Sequence, residues 1–306
     1  MTDAALQRTL TSLEGLSIAD SLGGFFEGFG ASSIHFYIHS RQLPNPPWHF
    51  TDDTNMALSV VSILRQCGEI HQDKLARSFG EHFDSTRGYG LGARALLSRI
   101  QLGAYWRSLA SEMFGGAGSY GNGGAMRVAP IGAFFANDLG AVVKNARLSA
   151  EITHSHLEGI AGAVAVAVAA AIAVQSREKG YSPPHRAFLE QVIVHVPEGK
   201  VRQGILKAIE IGEKVEVKSA AEILGNGSFI SAQDTVPFAL WNAARHLDNY
   251  EEAIWTTLSA GGDADTTAAI VGGIVVLYAG LDSIPQAWRE RREPLPAWYL
   301  EETTPE

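Results

Sequence analysis

The chain has 306 residues, of which 46% are apolar and 19% charged, and this excludes intrinsic disorder over most of its length, which needs low hydrophobicity and high charge. Lys and Arg number 24 against 33 Asp and Glu, a formal net charge of −9, which argues against a nucleic-acid binder working through a broad basic face. The single cysteine, Cys67, excludes an internal disulfide and a Cys-rich zinc site.

The N-terminal stretch MTDAALQRTLTSLEGL shows no basic segment followed by an apolar one, so no secretory signal is read there and the expected compartment is the cytoplasm. In Asp20-Ser-Leu-Gly-Gly-Phe-Phe-Glu27, Glu27 reads either as a base with a raised pKa or as an exposed loop carboxylate. Residues 31–49, with Pro44, Pro46 and Pro47, are expected to link this segment to the next and to carry a lid. Thr51-Asp52-Asp53-Thr54 stands directly before a helical pattern over Ala57–Gln66, whose apolar spacing suits a largely buried helix.

Phe114 to Val128 is glycine-rich and carries Phe114 and Tyr120. Such backbone can cradle phosphates and its rings can stack on a base, or the segment is a surface loop. It matches neither a Walker loop nor a dinucleotide fingerprint. Leu139–Ile152 reads as a helix. In Thr153-His154-Ser155-His156, His154 either orients a ligand or is structural. The run Gly162–Val174 alternates valine as a strand would, but its length and alanine content favour a helix. The uninterrupted apolar run Ile160–Val174 falls short of the roughly 20 residues of a spanning helix, so a buried core helix and no membrane are expected.

Gln191–Val196 is the best strand candidate, ended by Pro197. Pro237–Ala244 reads as helical, and Ala268–Leu281 as a second buried core helix, preceded by Asp263-Ala264-Asp265-Thr266-Thr267. The tail from about residue 293, with Pro294, Pro296 and Pro305, is expected to be irregular and superficial. Glycine pairs such as Gly23-Gly24 and Gly261-Gly262 suggest tight loops near a ligand, whereas Gly272-Gly273 suits close helix packing. No linker or repeat divides the chain, so an all-α, single-domain multi-helix bundle over 1–306 is expected.

The two acidic segments have two readings. Asp and Thr are preferred at helix N-termini, where they cap free N–H groups and meet the helix dipole. Two carboxylates and two hydroxyls at each start exceed what capping needs. Their hard oxygens suit Mg²⁺ or Mn²⁺, and four gathered carboxylates would repel unless cations neutralised them.

Together these segments resemble the ADP-ribosylhydrolase family, which includes dinitrogenase reductase-activating glycohydrolase. The family's opening Gly-Asp-x-x-Gly-x-x-x-Glu pattern stands here as Ala19-Asp20-Ser21-Leu22-Gly23-Gly24-Phe25-Phe26-Glu27, departing at Ala19. Thr-Asp-Asp-Thr is 51–54, and Gly-Asn-Gly-small-Ala-Met-Arg is 121–127. Thr-His is 153–154, and Gly-Gly-Asp-x-Asp-Thr is 261–266. The matches keep the family's order across residues 15–280.

The resemblance implies an all-α fold with a binuclear Mg²⁺ or Mn²⁺ centre held by Thr51, Asp52, Asp53, Asp263, Asp265 and Thr266. It implies that Glu27 lies over the metals as the leading catalytic candidate. Hydrolysis through a transition state of oxocarbenium character calls for a second acidic group, for which Asp53 is the candidate, with the division of roles between the two left open. The 114–124 stretch is similar to the branch acting on serine-linked ADP-ribose and poly(ADP-ribose). There Phe114 and Tyr120 would sandwich adenine. Gly118, Ser119, Gly121 and Asn122 would line the phosphate and ribose path, and His154 would contact the distal ribose.

The implied substrates are ADP-ribosylated proteins, O-acetyl-ADP-ribose or the polymer. Arginine-linked ADP-ribose is the alternative linkage, and an inactive ADP-ribose-binding or structural relative is the non-enzymatic alternative. The Asp-Asp-x-x-Asp pattern of class I terpene synthases fails at Met56.

Overall fold

The computed structural model describes residues 3–27 and 31–301. In chain order the helices are α1 (Asp3–Phe26), α2 (Ala31–Ser40), α3 (Asp52–Cys67), α4 (Gln72–Glu81), α5 (Leu91–Gln101), α6 (Trp106–Glu112), α7 (Ala129–Phe134) and α8 (Leu139–Glu151). There follow α9 (Leu157–Glu178), α10 (His185–Ile193), α11 (Lys200–Ile211), α12 (Val217–Leu224), α13 (Ala232–Arg245), α14 (Tyr250–Ser259), α15 (Ala264–Ala279) and α16 (Gln286–Arg289). Short 3₁₀ turns join some of them. Among the described residues no strand forms, so the all-α expectation holds.

Small residues set the central contact. On α1, Gly15, Ala19 and Gly23 repeat every fourth position and form one face. A Cβ on Gly15 would lie 2.5 Å from Val276 Cγ1, and one on Gly23 2.5 Å from the Ala264 carbonyl. One on Gly272 would lie 2.5 Å from Ala19 Cβ. Ascending positions on α1 thus meet descending positions on α15, and the two helices run antiparallel in close contact. This registers Asp20 beside the start of α15. Gly272-Gly273 therefore serve close packing, as expected. Gly23-Gly24 lie inside α1 rather than in a loop, which corrects the loop reading for that pair.

The alanine- and valine-rich run is α9, buried along nearly its whole length against α7, α8, α13 and α15. It is long and apolar enough to cross a membrane, yet 89% of its most apolar window is buried among these helices. Gly132 on α7 abuts it so closely that any Cβ would overlap the Ala167 carbonyl oxygen. Gly132→Ala is therefore expected to destabilise the protein by about 3 kcal/mol, read from denaturant unfolding.

The strand expected at Gln191–Val196 is not formed. Gln191 to Ile193 complete α10, which begins after Pro184 and buries Phe188, Leu189, Val192 and Ile193 on one helical face. The β-branched run looked like a strand because the helix that contains it starts six residues earlier. Pro237 does not begin a helix but lies inside α13. The tail is irregular apart from a 3₁₀ turn at Ala297–Leu300, but it is not merely superficial. Leu295, Trp298 and Tyr299 pack on a small cluster with Leu58 and Val61 of α3, and the Trp298 ring stacks on His82 at 3.5 Å. Pro305 lies outside the described residues.

Candidate metal centre and ligand groove

Thr51 caps α3, its side chain accepting from the Asp53 N–H, so capping accounts for part of the first acidic segment. Asp263 sits at the N-cap of α15 but makes no side-chain cap bond. Its carboxylate instead accepts from Asn122 Nδ2 at 2.5 Å. Capping therefore does not explain the second segment.

The α1–α15 contact brings the acids together. Carboxylate oxygens of Asp20, Asp53 and Asp265 lie within 4.8 Å of one another, as do those of Glu27, Asp263 and Asp265. Thr266 Oγ1 lies 3.4 Å from Asp53 Oδ2, and Thr51 Oγ1 lies 3.0 Å from it. Asp52 belongs to neither triad; its N–H donates to the Arg87 carbonyl at 2.7 Å. Among the described residues, no Lys, Arg or His forms an ion pair with any of these acids.

The pKa directions follow from this crowding. Burial, then the charge of Asp20, pushes Asp52 up to about 8. Burial and Asp265 push Asp263 up to about 8. Asp53 is raised well above the carboxylate range by burial and by Asp265, and Asp265 likewise by burial. Glu27 is exposed as a residue, but its carboxyl end leans onto Asp265. Its pKa is raised by partial withdrawal from water, opposed by a hydrogen bond with Asp265 and assisted by the charges of Asp263 and Asp20.

Asp20 is a further member of the centre, one for which the sequence offers only a place in the 19–27 motif. It is fully buried and accepts from four donors, the N–H and Oγ1 of both Thr51 and Thr54. Burial raises it to about 6 against the pull of those hydrogen bonds. Its oxygens are thus engaged in holding the Thr51–Thr54 turn. Asp53 differs, because its buried Oδ1 has no hydrogen-bond partner. A buried carboxylate oxygen without a donor, in an all-oxygen acidic set, fits a hard divalent cation.

Beside the acids runs the glycine-rich segment. Phe114 and Tyr120 are exposed, with ring centroids 6.4 Å apart and planes 30° from parallel. A planar base inserted between two rings needs roughly 7 Å, two van der Waals separations. Phe114 holds φ 53°, a left-handed conformation rare outside glycine, and such strain concentrates at ligand clamps. Gly118, at φ 74°, lies where a Cβ would come 2.7 Å from the His156 nitrogen. Ser119 is buried and its Oγ accepts from the Gly121 N–H at 3.2 Å. Asn122 bridges this segment to Asp263, so the groove ends at the acidic centre. His154 is buried beneath Gly121, Gly123 and Gly124. A cleft of about 900 Å³ opens from Tyr120 past Asn226, Ser228 and Phe229.

The ADP-ribosylglycohydrolase family profile matches residues 1–304. The chain belongs to the ADP-ribosylglycohydrolase family. It is 30% identical to the human ADP-ribosylhydrolase ARH3, covering 94% of this chain and 90% of that one. An uncharacterized protein of Archaeoglobus fulgidus is 34% identical, covering 90% and 88%. The ADP-ribosylarginine hydrolase Tri1 of Pseudomonas putida is 24% identical, covering 94% and 75%. A solved ADP-ribosylglycohydrolase-related protein complex superposes with a TM-score of 0.67 at 25% identity, covering 95% and 94%. Family membership accords with hydrolysis of ADP-ribose conjugates, and the buried acidic cluster is a set able to hold metal.

The structure thus gathers Thr51, Asp53, Asp263, Asp265, Thr266 and Glu27 at one end of the groove, and Phe114, Gly118, Ser119, Tyr120, Gly121, Asn122 and His154 along it. The 31–49 segment does link Glu27 to α3. Its C-terminal part is anchored by Arg41, which pairs with Glu252 at 2.8 Å and lies over the Trp255 ring.

Proposed function

We propose that the chain is a divalent-metal-dependent hydrolase that cleaves the glycosidic bond at the distal ribose of O-linked ADP-ribose conjugates. ADP-ribosyl-serine, O-acetyl-ADP-ribose and poly(ADP-ribose) are the substrates of that class. The observation that carries the reading is Asn122, which joins a two-ring base clamp at one end of the groove to a buried, unneutralised acidic centre at the other. A dinucleotide-sized ligand with a base at one end and a ribose diol at the other suits that layout. The O-linkage is supported by the Phe114–Tyr120 segment and by the lower identity, 24%, to the ADP-ribosylarginine hydrolase Tri1 than to the ADP-ribosylhydrolase ARH3, 30%.

Thr51, Asp52, Asp53, Asp263, Asp265 and Thr266 would hold two Mg²⁺ or Mn²⁺ ions. Bound there, they would neutralise the carboxylates and polarise ribose and water oxygens. Phe114 and Tyr120 clamp the adenine, and the backbone from Gly118 to Asn122 with Ser119 holds the phosphates and ribose. His154 steadies the distal ribose. Glu27 stands at the mouth with a raised pKa and transfers a proton to the leaving oxygen or from the attacking water. Asp53 supplies negative charge to a transition state of oxocarbenium character.

The test is ADP-ribose release from matched serine-linked and arginine-linked peptides, with Mg²⁺ and with chelator. Metal-dependent release from serine alone supports the reading. Release from arginine alone replaces it with the N-linked activity, and binding without release replaces it with a non-catalytic role. Tyr120→Ala and Phe114→Ala should each weaken ADP-ribose binding by roughly tenfold, since a base–aromatic stack contributes about 1–3 kcal/mol. Calorimetric titration reads this, and affinity unchanged in both variants would remove the clamp.

A further inference from the structure

Arg127 is fully buried and, among the described residues, touches no carboxylate. Its Nη2 donates to the Ser149 carbonyl at 2.8 Å and to Thr153 Oγ1 at 2.9 Å, and its guanidinium lies 4.6 Å above the Phe79 ring. Thr153 is also buried, and its Oγ1 lies 2.7 Å from His154 Nδ1. Proton counting fixes the direction of this last bond. A guanidinium can only donate, so Thr153 Oγ1 accepts from Arg127. The hydroxyl has one proton, and among the described residues Nδ1 is the one acceptor in reach of it. Thr153 therefore donates to Nδ1.

A ring whose Nδ1 accepts carries its proton on Nε2. Burial, and then the nearby charge of Arg127, pushes the His154 imidazole down to about 3, so the ring stays neutral. Among the described residues Nε2 makes no hydrogen bond. It faces glycines: a Cβ on Gly121 would lie 3.1 Å from Nε2, and one on Gly123 3.0 Å. Bare backbone at both positions leaves that nitrogen a path to the groove.

We propose that Arg127 and Thr153 are positioning residues, a relay that holds His154 as a neutral Nε2–H donor aimed at an oxygen acceptor of the bound ligand. The last step rests on the reading of the groove as an ADP-ribose site; the tautomer does not. The relay gives the buried arginine a role that packing alone leaves unexplained, because burying a guanidinium without a carboxylate is costly. It also explains why a ligand-facing histidine can sit beside a fixed positive charge: only the neutral ring tolerates it.

Multiple-bond ¹H–¹⁵N spectra of the labelled full chain test this, with the His154 signals assigned by their loss in His154→Gln. Wild type should show the neutral Nε2–H pattern between about pH 5.5 and pH 8. An Nδ1–H pattern, or a ring that titrates in that range, overturns the relay, and this measurement needs no destabilised variant. Thr153→Val should release the tautomer into a mixture and raise KM about tenfold, with the larger part of the loss in KM rather than kcat. Thr153→Ser should restore both. An unchanged spectrum in Thr153→Val overturns the proposal. If wild type shows Nε2–H but His154→Gln binds ADP-ribose as well as wild type, the ligand placement fails and the relay stands.

Discussion

Glu27→Gln is expected to lower kcat by about 10²- to 10⁴-fold while changing ADP-ribose affinity by less than about threefold, because its work is proton transfer. Glutamine keeps the size and the hydrogen-bonding reach of the side chain but cannot exchange a proton. Glu27 is the one acid of the cluster that is exposed, so it can meet both solvent and a leaving group. Its pKa is raised by partial withdrawal from water, with the charges of Asp263 and Asp20 assisting and the Asp265 hydrogen bond opposing, and a raised carboxyl is better suited to give as well as take a proton. Steady-state kinetics with serine-linked peptide, paired with calorimetric titration of ADP-ribose, separates the two effects. A kcat within threefold of wild type would remove Glu27 from the chemistry. A large loss of affinity with kcat intact would make it a binding residue.

The acidic segments were legible because they combine residue type with position, each directly before an apolar helix. What the sequence could not resolve was their meaning, since capping and metal binding favour the same letters at the same place. The structure separates the two at particular atoms. Thr51 caps; Asp263 does not, and turns to Asn122 instead. Asp20 was harder to read because its role is to receive four hydrogen bonds from residues more than thirty positions away. Its only local signal was an acid inside an otherwise small and apolar face. The α10 error has a different origin. Val192 and Ile193 are β-branched and by themselves favour a strand, whereas Phe188 and Leu189 complete their helical stripe. The docking of the tail through Trp298 on His82 joins positions far apart in the chain, and no local pattern announces it.

Asp265→Asn is expected to make the metal-free protein more stable at about pH 8 while abolishing its response to Mg²⁺ and its turnover. The sign follows from linkage. Unfolded aspartates titrate near 3.9, whereas Asp20 is raised to about 6 and Asp52 and Asp263 to about 8, with Asp53 and Asp265 raised further. Across that window the folded state binds more protons than the unfolded one. Its stability is therefore fully present below about pH 4 and is lost as pH rises toward about 8. Metal binding selects the deprotonated carboxylates and releases their protons, so the stabilisation by Mg²⁺ should grow over the same range. In wild type, Tm with chelator should fall between about pH 5.5 and pH 8, and saturating Mg²⁺ should restore roughly 5 °C at the upper end. Asparagine keeps the shape of Asp265 without its charge, which relieves Asp53 and flattens the pH dependence. A purely structural role predicts the reverse: loss of the Asp265 carboxylate, which accepts from the Thr266 N–H at 2.7 Å, would lower Tm at every pH. Differential scanning calorimetry at the two pH values, with Mg²⁺ and with chelator, decides between them. A Tm in wild type indifferent to both Mg²⁺ and pH would mean that the acids of this centre are satisfied by the protein alone.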